Sequence, residues 1–355
     1  MHMKLISLRR THGRDRLALS LALQGGGAHG AFTWGALDAL LEAKRFDVEG
    51  VSATSAGAMN AVFLAQGMME GGAEGARAAL ARLWRSVAEQ APVGAYSDDG
   101  RMAPGMKVLW HWTEWLSPQQ FNPLDLNPLR AILMQHVDFD ALRQRSPIKL
   151  FVAATHANSG KLRVFRQREM TADVVLASAC LPMLHHPVHI DGEPYWDGGY
   201  SANPAVFPLI DECAADDLLL VLLAPLRYDS LPQTAAGIKA RLRDLSFNSS
   251  FLREMGMLAA LQAHRSRWSW LNRVRRTGLS AGRLGRLRFH AITAEGVQGQ
   301  WAQESRAAVN PVFFERLMDD GRRQTQAWLQ AGGREVGRAG SAALGEMFGL
   351  PQGRG

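Results

Sequence analysis

The sequence predicts an α/β fold built on a mostly parallel sheet, and three observations carry this prediction. Several short runs are continuously apolar, as in Leu17–Leu23. Such runs are typical of strands that are buried on both faces of a parallel sheet. The first two runs are each followed by a tight turn of small residues and then by a helical pattern. Strand and helix therefore alternate, which favours right-handed crossover connections within one sheet.

The individual elements follow from apolar spacing and from turn residues. The predicted strands are 17–23, 48–53, 148–155, 162–165, a hairpin over 189–196, 218–223 and 287–292. The predicted helices are 28–44, 56–66, 76–89, 130–136, 170–180 and 312–329. Residues 56–66 are small or apolar nearly all round, which predicts a helix buried in the centre of the molecule. The hairpin is predicted from Asp191-Gly192, a turn dipeptide between two short strands.

The chain is predicted to form one domain over 16–332, between a flexible N-terminus (1–15) and a loose tail (333–355). Residues 91–128 are rich in proline and in aromatic side chains. They are predicted to form a cap, in which the aromatic rings either make a lid over an apolar substrate or simply fill the core of the cap. The aromatic residues are Trp110, Trp112, Trp115 and Phe121.

Composition limits the classes of protein to which the chain can belong. The apolar fraction of 47% and the charged fraction of 21% are ordinary for a globular protein. The chain has two cysteines, Cys180 and Cys213, and this small number argues against a disulfide framework and against a cysteine-based zinc site. The N-terminus lacks the apolar run of a signal peptide, and the longest apolar run, 218–226, is far shorter than the roughly 20 residues that span a bilayer. We therefore expect a cytoplasmic protein, located peripherally on the inner membrane face.

The positive charge favours an anionic partner. The formal net charge is +7, which suits a membrane surface or a nucleic acid. Residues 236–288 are basic and amphipathic, and between His264 and Arg288 there are eight arginines and no acidic residue. Such a segment is predicted to lie on an anionic membrane surface, although a solvated helix face would have the same composition. No nucleic-acid motif accompanies it, so nucleic acid is not expected as a partner.

The turn after the first strand carries glycines that fit two kinds of chemistry. Gly25, Gly27 and Gly30 match the spacing of a dinucleotide fingerprint. The acidic residue that contacts ribose should lie at the far end of the second strand, but Asp47 and Glu49 lie at its start. Dinucleotide binding is therefore disfavoured. The same turn leaves backbone N–H groups at a helix N-terminus, where they stabilise an anion such as the oxyanion of ester cleavage.

The turn after the second strand is similar to a nucleophile elbow. Ala53-Thr54-Ser55-Ala56-Gly57 places a serine between a strand and a helix, as in the pattern G-x-S-x-G. The positions two before and two after the serine must be small because the turn is tight, and Ala53 and Gly57 satisfy this requirement. We therefore predict that Ser55 is a nucleophile.

A nucleophilic serine needs a base, and two kinds of base are open from the sequence. The order Ser, Asp, His of an α/β-hydrolase would select His264 or His290. Alternatively, Asp197 stands at the end of the predicted hairpin and precedes Gly198 and Gly199. Its carboxylate can accept the serine proton directly if burial raises its pKa.

Three motifs in this order resemble those of patatin-like phospholipases: the glycine turn 25–30, the serine elbow 53–57 and Asp197-Gly198-Gly199. The similarity covers about 17–203. The resemblance implies a three-layer α/β/α fold, a Ser55–Asp197 dyad without histidine, and an oxyanion hole from the backbone of Gly25, Gly26, Gly27 and Ala28. The supporting residues would be His29, Gly30, Ala53, Gly57, Gly198 and Gly199. His29 and Ala53 stand where many members of the family have arginine and glycine.

The resemblance implies a serine hydrolase of phospholipids or other acyl-ester lipids, with no metal and no cofactor. Covalent catalysis would proceed through an acyl-enzyme on the serine. A Ser-Asp-His esterase or thioesterase, a polyester depolymerase, and a lipid-binding scaffold with a vestigial site remain as alternatives. The sequence is silent on the oligomeric state.

Overall fold

The predicted α/β fold is confirmed in the computed structural model, which describes residues 16–90, 94–107, 117–268, 283–294 and 303–349. The described residues form an eight-stranded sheet in the order β5-β6-β3-β2-β1-β7-β8, with β4 also paired to β3. The strands are β1 Leu17–Leu23, β2 Phe46–Ala53, β3 Lys149–His156, β4 Leu162–Arg166, β5 Val188–Ile190, β6 Glu193–Asp197, β7 Asp217–Leu222 and β8 Arg288–Thr293.

The central five strands, β3-β2-β1-β7-β8, are all parallel, whereas β4, β5 and β6 are antiparallel additions at one side. Because neighbouring parallel strands end at the same edge of a sheet, the turns after β1 and β2 are brought side by side. Leu23 pairs with Ala53 at these ends. The hairpin β5–β6 then brings its own end, Asp197, beside Ala154 of β3.

Helices cover both faces of the sheet. The helices of the described segments are α1 Gly30–Glu42, α2 Ala56–Glu89, α3 Pro118–Phe121, α4 Pro128–His136, α5 Phe139–Arg145, α6 Ala172–Ser178, α7 Phe207–Glu212, α8 Ala235–Trp268, α9 Pro311–Gln330 and α10 Leu344–Phe348. Alternating side chains of the central strands belong to two separate hydrophobic cores: Leu21 of β1 packs with α1, α2 and α9, and Ala22 packs with α7, α8 and α10. The architecture is therefore a three-layer α/β/α arrangement.

The helix after Ser55 contains the break that the sequence predicts between 66 and 76. Gly71 and Gly72 have non-helical backbone angles, and Gly72 has a φ of 60°. The two halves of α2 pack closely against each other near this break. A Cβ on Gly67 would lie only 2.4 Å from the Cα of Ala76, so the close contact requires glycine at this position. The first half is buried almost throughout, as expected of a central helix.

The C-terminal segment differs from the expected loose tail. The described residues 333–349 pack onto the layer formed by α8, with Leu344 and Phe348 buried. The ring of Phe348 meets Phe251 edge-on at 5.7 Å, and the N–H of Ala342 is donated to the carbonyl oxygen of Phe289 in β8. The apolar residues of this segment are sparse, so their burial could be recognised only once α8 and β8 were in place.

Several predictions fall outside the described residues. These are the flexible N-terminus 1–15, the aromatic residues Trp110, Trp112 and Trp115, and the basic stretch over 269–282. Phe121 and His264 lie within helices α3 and α8, but their side chains are outside the described part of the chain. No helix in the described segments combines the length and the apolar character needed to cross a bilayer.

Candidate active site

The glycine turn and the serine elbow are packed directly against each other, and three glycines make this contact possible. A Cβ on Gly25 would lie 2.8 Å from the Cβ of Ser55, and a Cβ on Gly30 would lie 2.7 Å from the Cβ of Ala56. A Cβ on Gly57 would lie 2.5 Å from the carbonyl oxygen of Leu23. These distances are too short for any side chain larger than hydrogen. The glycines therefore allow the two turns to share one site.

Ser55 occupies a backbone conformation that residues with a side chain rarely adopt. Its φ is 56° and its ψ is −126°, at the N-terminus of α2. Such a conformation costs on the order of 1–3 kcal/mol for a non-glycine residue, and it is typical of a sharp strand-to-helix turn at a functional serine. Its backbone N–H is donated to Oγ of Ser178 at 2.9 Å. Ser178 is fully buried at the end of α6 and holds the elbow from behind.

Three backbone N–H groups lie at the end of the glycine turn. The N–H groups of Gly26, Gly27 and Ala28 stand at the start of the 3₁₀ helix Gly27–His29, and they have no acceptor among the described residues. Gly27 has a φ of 59°, and its Cα faces the backbone carbonyl of Arg306 so closely that a Cβ there would clash. The backbone of Arg306 thus packs closely against the turn, and the three N–H groups have no partner in the part of the chain that the structure describes.

The prediction that the Gly25 N–H is an oxyanion donor is wrong. Its N–H is already donated to Oδ1 of Asn203 at 2.7 Å. Asn203 follows the Asp197 turn along the chain, so this bond ties the glycine turn to the segment that carries the carboxylate. Gly25 therefore helps to position the glycine turn, and the candidate oxyanion donors are the N–H groups of Gly26, Gly27 and Ala28.

His29 is buried behind the glycine turn. Its Nε2 lies 2.8 Å from Oγ of Ser305, and its ring meets Phe313 edge-on. Burial, with a smaller effect of the Arg306 cation, holds the pKa of His29 well below its ordinary value. The imidazole is neutral at pH 7 and joins the turn to the segment 303–307. It holds the loop in place and adds no positive charge to it.

Asp197 is fully buried at the end of β6 and is held at both its backbone and its side chain. Its N–H is donated to the carbonyl of Cys180, and its own carbonyl accepts the hydroxyl of Thr155. Oδ1 of the carboxylate accepts the N–H of Gly199 at 2.7 Å, whereas Oδ2 has no hydrogen-bond partner among the described residues. The carboxylate is therefore oriented by one oxygen and leaves the other available.

The environment of Asp197 shifts the pKa of its carboxyl toward neutral pH. Burial raises the pKa of this carboxyl to about 7, and the Gly199 N–H and the Ser55 side chain lower it by smaller amounts. The Ser55 side chain is thus near enough to affect the carboxyl, although no hydrogen bond of ordinary geometry joins the two. Catalytic hydrogen bonds are often long in the absence of substrate and tighten when it binds.

The two glycines after Asp197 permit close packing around it. A Cβ on Gly198 would clash with the carbonyl of Ala153 in β3, and one on Gly199 would clash with the ring of Phe247 in α8. Ala53, the last residue of β2, is fully buried between Leu23 and Val152 in the sheet. Its methyl group is accommodated, and the position does not require glycine.

The alternative base His290 is occupied elsewhere. Its Nε2 lies 3.0 Å from Oδ1 of Asp217 and its Nδ1 lies 2.8 Å from Oγ of Ser341. Asp217 and Arg288 are the first residues of β7 and β8, at the edge of the sheet opposite to Ser55. No described histidine is hydrogen-bonded to Ser55 or Asp197.

The dinucleotide alternative also finds no support in the geometry. Glu49 accepts the N–H groups of Ala214 and Ala215 and the ammonium of Lys149. Burial alone would raise the pKa of Glu49, but these bonds together hold it below its ordinary value. Its side chain is therefore committed at the amino end of the sheet. A ribose at the glycine turn would lie at the other end.

Sequence reasoning missed four polar residues that fix the site. Asn203 and Ser178 hold Gly25 and Ser55. Oε1 of Gln24 accepts the N–H groups of Leu223 and Ala224, and its Nε2 is donated to Asn248 of α8. Gln24 adjoins the glycine turn and could have been noticed as a polar residue that ends an apolar strand. Ser178, Asn203 and Asn248 carry no comparable signal, because only the fold brings them to the turns.

The comparisons with known proteins agree with this architecture. A family model described as patatin-like phospholipase matches residues 21–210, which is more than half of the chain. The match includes the glycine turn, the serine elbow and the Asp197 turn. The chain belongs to the patatin-like phospholipase family. No curated protein matches it significantly.

Two solved structures show a distant likeness to the chain. VipD from Legionella pneumophila is 15% identical with a TM-score of 0.42, over 89% of this chain and 67% of that one. ExoU from Pseudomonas aeruginosa, solved in complex with SpcU, is 15% identical with a TM-score of 0.36, over 89% of this chain and 54% of that one. This chain therefore spans about half the length of ExoU.

Proposed function

We propose that the protein is a serine hydrolase of fatty acyl esters, in which Ser55 is the nucleophile and Asp197 is the general base, and that it acts on lipids at a membrane surface. One observation carries the proposal. A buried carboxylate with a pKa of about 7 lies beside a strained serine, and three N–H groups of the glycine turn lie on the same sheet edge. One carboxylate oxygen and these N–H groups have no hydrogen-bond partner among the described residues.

In the acylation step, Oδ2 of Asp197 accepts the hydroxyl proton while Oγ of Ser55 attacks the acyl carbonyl carbon. The carbonyl oxygen becomes an oxyanion facing the N–H groups of Gly26, Gly27 and Ala28. Each such donor contributes on the order of 3 kcal/mol in the transition state of acyl transfer. The protonated Asp197 then returns the proton to the leaving alcohol or lysolipid, and the acyl group stays on Ser55.

In the deacylation step, Asp197 accepts a proton from water, and the resulting nucleophile attacks the acyl-enzyme. The tetrahedral intermediate uses the same three donors. Its collapse releases the fatty acid as Asp197 returns the proton to Ser55. Burial of Asp197 serves both steps, since a pKa near 7 lets the carboxyl accept and donate a proton at neutral pH without a histidine.

The family supports a lipid substrate, and phospholipids or lysophospholipids are the class that we propose. A Ser-Asp-His esterase is less well supported, because His290 is engaged with Asp217 and Ser341. A thioesterase and a polyester depolymerase would use the same two residues on another acyl compound. A lipid-binding scaffold would retain the shape of the site without turnover.

A fluorophosphonate probe tests the proposed nucleophile directly, because it labels only an activated serine. We expect stoichiometric labelling of the purified chain at Ser55, and hydrolysis of a phospholipid in mixed micelles. Ser55→Ala and Asp197→Asn should lower hydrolysis by a factor of about 10³ or more, as the loss of a nucleophile or base does. Ser249→Ala is the matched control, because Ser249 is an exposed serine of α8.

Each outcome separates the remaining alternatives. A folded chain that the probe does not label contradicts the enzyme and favours the scaffold. Labelling at Ser55 with no phospholipid turnover, but with turnover of an acyl thioester or a polyester, would keep the dyad and change the substrate class.

A further inference from the structure

Helix α8 carries an apolar stripe on the side that faces solvent. Ile238, Leu242 and Leu245 are 47%, 57% and 49% exposed. They are spaced i, i+4 and i+7, so they lie within about 60° of one another around the helix. Leu231, in the loop before the helix, is 78% exposed. Isolated exposed leucines are common, but a continuous stripe on the outside of a helix needs an explanation.

The loop that carries Leu231 is folded onto the first turns of the helix. The guanidinium of Arg241 lies 3.4 Å from the ring centre of Tyr228 and donates to the carbonyl of Ser230. A Cβ on Gly237 would touch Pro232 at 3.0 Å. These contacts hold the loop, and with it Leu231, close to the stripe. We call Leu231, Ile238, Leu242 and Leu245 together the outer face of α8.

The opposite side of the same helix forms part of the wall of the candidate active site. The ring of Phe247 lies against Gly199 and, at 4.6 Å between centroids, against Tyr200. Asn248 accepts the hydrogen bond from Gln24, and Asp244 pairs with Arg306 at 2.6 Å. One helix thus contacts the glycine turn and the Asp197 turn on its inner side, and presents its outer face to solvent one helix diameter away.

Cations flank the outer face. Lys239 and Arg243 are exposed on the same side of the stripe, about 60° and about 100° further round the helix than Leu242. Neither forms an ion pair with an acidic residue of the described segments. The sole acidic residue between 231 and 245 is Asp244, which turns inward to Arg306 and Tyr228. Aliphatic side chains in the centre with lysine and arginine at the margin are the pattern of a helix that lies in a membrane interface.

We propose that the outer face of α8 docks on an anionic phospholipid bilayer, with Leu231, Ile238, Leu242 and Leu245 in the headgroup region and with Lys239 and Arg243 against lipid phosphates. This inference rests on the proposed function, because docking would bring the candidate active site to a lipid substrate. The charge favours a bilayer over a second copy of the chain: two copies would bring like charges together, whereas an anionic surface neutralises them.

Vesicle sedimentation with the Ser55→Ala protein tests docking without turnover. We expect binding to vesicles of phosphatidylcholine and phosphatidylglycerol, and binding at least tenfold weaker for the double variant L242D/L245D, because each change places a carboxylate in the interface. Met257→Asp is the matched control: Met257 is 63% exposed on the same helix, three turns further on and outside the outer face. Its variant should bind as Ser55→Ala does.

The cations are tested separately. K239Q/R243Q should weaken binding to anionic vesicles about tenfold or more at low salt, and raising the salt concentration should weaken binding of the parent protein. Vesicles of phosphatidylcholine alone should bind the Ser55→Ala protein weakly, and should bind it no better when it also carries K239Q/R243Q. Equal binding of all variants to anionic vesicles would overturn the proposal.

A second measurement reports the location of the contact and needs only one substitution. Cys180 and Cys213 are both buried, and burial raises the pKa of their thiols to about 12 and about 11, so a surface cysteine can be labelled selectively. An environment-sensitive dye on Leu242→Cys should shift to the blue when anionic vesicles are added. The same dye on Met257→Cys should not shift, and the reverse pattern would contradict the proposal.

Activity distinguishes failure of docking from failure of the proposed function. In the catalytically intact chain, L242D/L245D should lower hydrolysis of vesicle phospholipid about tenfold while leaving hydrolysis of a short-chain soluble ester unchanged. If the chain hydrolyses neither substrate, the proposed function fails, and sedimentation still decides on docking. If the chain forms a dimer that L242D/L245D dissociates and it does not bind vesicles, a second copy is the occupant and docking on a bilayer is wrong.

Discussion

At the scale of single residues, the site combines a strained serine with a destabilised carboxylate. Ser55 has a φ of 56°, which glycine would adopt without cost. Asp197 is ionised only against the cost of burial, which raises its pKa to about 7. Both features lower stability, and such costs are typical of functional sites, which agrees with the proposed roles of Ser55 and Asp197.

The backbone strain at Ser55 predicts a difference between two inactive variants. Ser55→Ala removes the hydroxyl and keeps the Cβ, whereas Ser55→Gly also relieves the strained backbone. We expect the glycine variant to be more stable than the alanine variant by about 1 kcal/mol in the free energy of unfolding, measured with urea. An alanine variant as stable as the glycine variant would contradict strain at this position.

The pKa of Asp197 predicts the pH dependence of turnover. If Asp197 is the base, as proposed, it must be deprotonated, so kcat/KM for a soluble ester should rise about tenfold per pH unit below 7 and level off above it. A flat profile between pH 5 and 9 would contradict Asp197 as the base. Samples held at pH 5 and assayed at pH 8 control for acid unfolding, which is expected because the buried, neutral His29 and His290 must gain protons.

At the scale of elements, glycines determine how closely the helices approach one another. Gly35 of α1 faces the backbone of Met318 in α9, and Gly321 of α9 faces the backbone of Phe32 in α1; a Cβ at either glycine would clash with a carbonyl oxygen. This crossing holds α1, which begins at the glycine turn, against the sheet. Next to it, the buried carboxylate of Asp38 pairs with Arg77 of α2 and with Arg322 of α9.

The contact between α1 and α9 predicts that Gly35→Ala is strongly destabilising. The added methyl group has no room at the carbonyl of Met318, so the two helices must separate. We expect a loss of about 3 kcal/mol in the free energy of unfolding. Gly345→Ala in α10 is the matched control, because a Cβ there meets no atom within 4 Å. It should change stability by less than about 1 kcal/mol.

At the scale of the whole molecule, the parallel sheet separates two polar clusters. Ser55 and the glycine turn lie at the carboxyl edge of the central strands. At the amino edge, Asp217 accepts bonds from Arg288 and from the N–H of Gly337, and lies beside the buried His290. These interactions, against the effect of burial, hold the pKa of Asp217 below its ordinary value. The amino-edge cluster joins β7, β8 and the C-terminal segment.

The position of His290 predicts that its loss affects stability and not turnover. His290→Ala removes hydrogen bonds to Asp217 and Ser341 and leaves a cavity beside Trp328, so we expect a loss of about 2–4 kcal/mol in the free energy of unfolding. The kcat for a soluble ester, measured well below the melting temperature, should change less than twofold. A folded His290→Ala protein without activity would restore the Ser-Asp-His alternative.

The local motifs were predictable from the sequence because each has a local physical cause. The glycine turn and the serine between small residues each follow an apolar strand and precede a helical pattern, so both can be recognised from neighbouring residues along the chain. The strands and most helices followed from apolar periodicity for the same reason. The prediction that Gly25 is an oxyanion donor was wrong, since its N–H is donated to Asn203, which is 178 positions away along the chain.

By itself, the sequence determined the fold class, the two turns and the identity of the candidate nucleophile and base, because these depend on neighbouring residues along the chain. Only the tertiary structure decided that the Gly25 N–H is donated to Asn203, that His29 is buried against Ser305, that Ser178 holds the elbow, and that the tail packs on α8. It also decided which face of α8 is exposed. Burial and long-range hydrogen bonds form only when segments that are distant along the chain come into contact, and local sequence patterns do not specify these contacts.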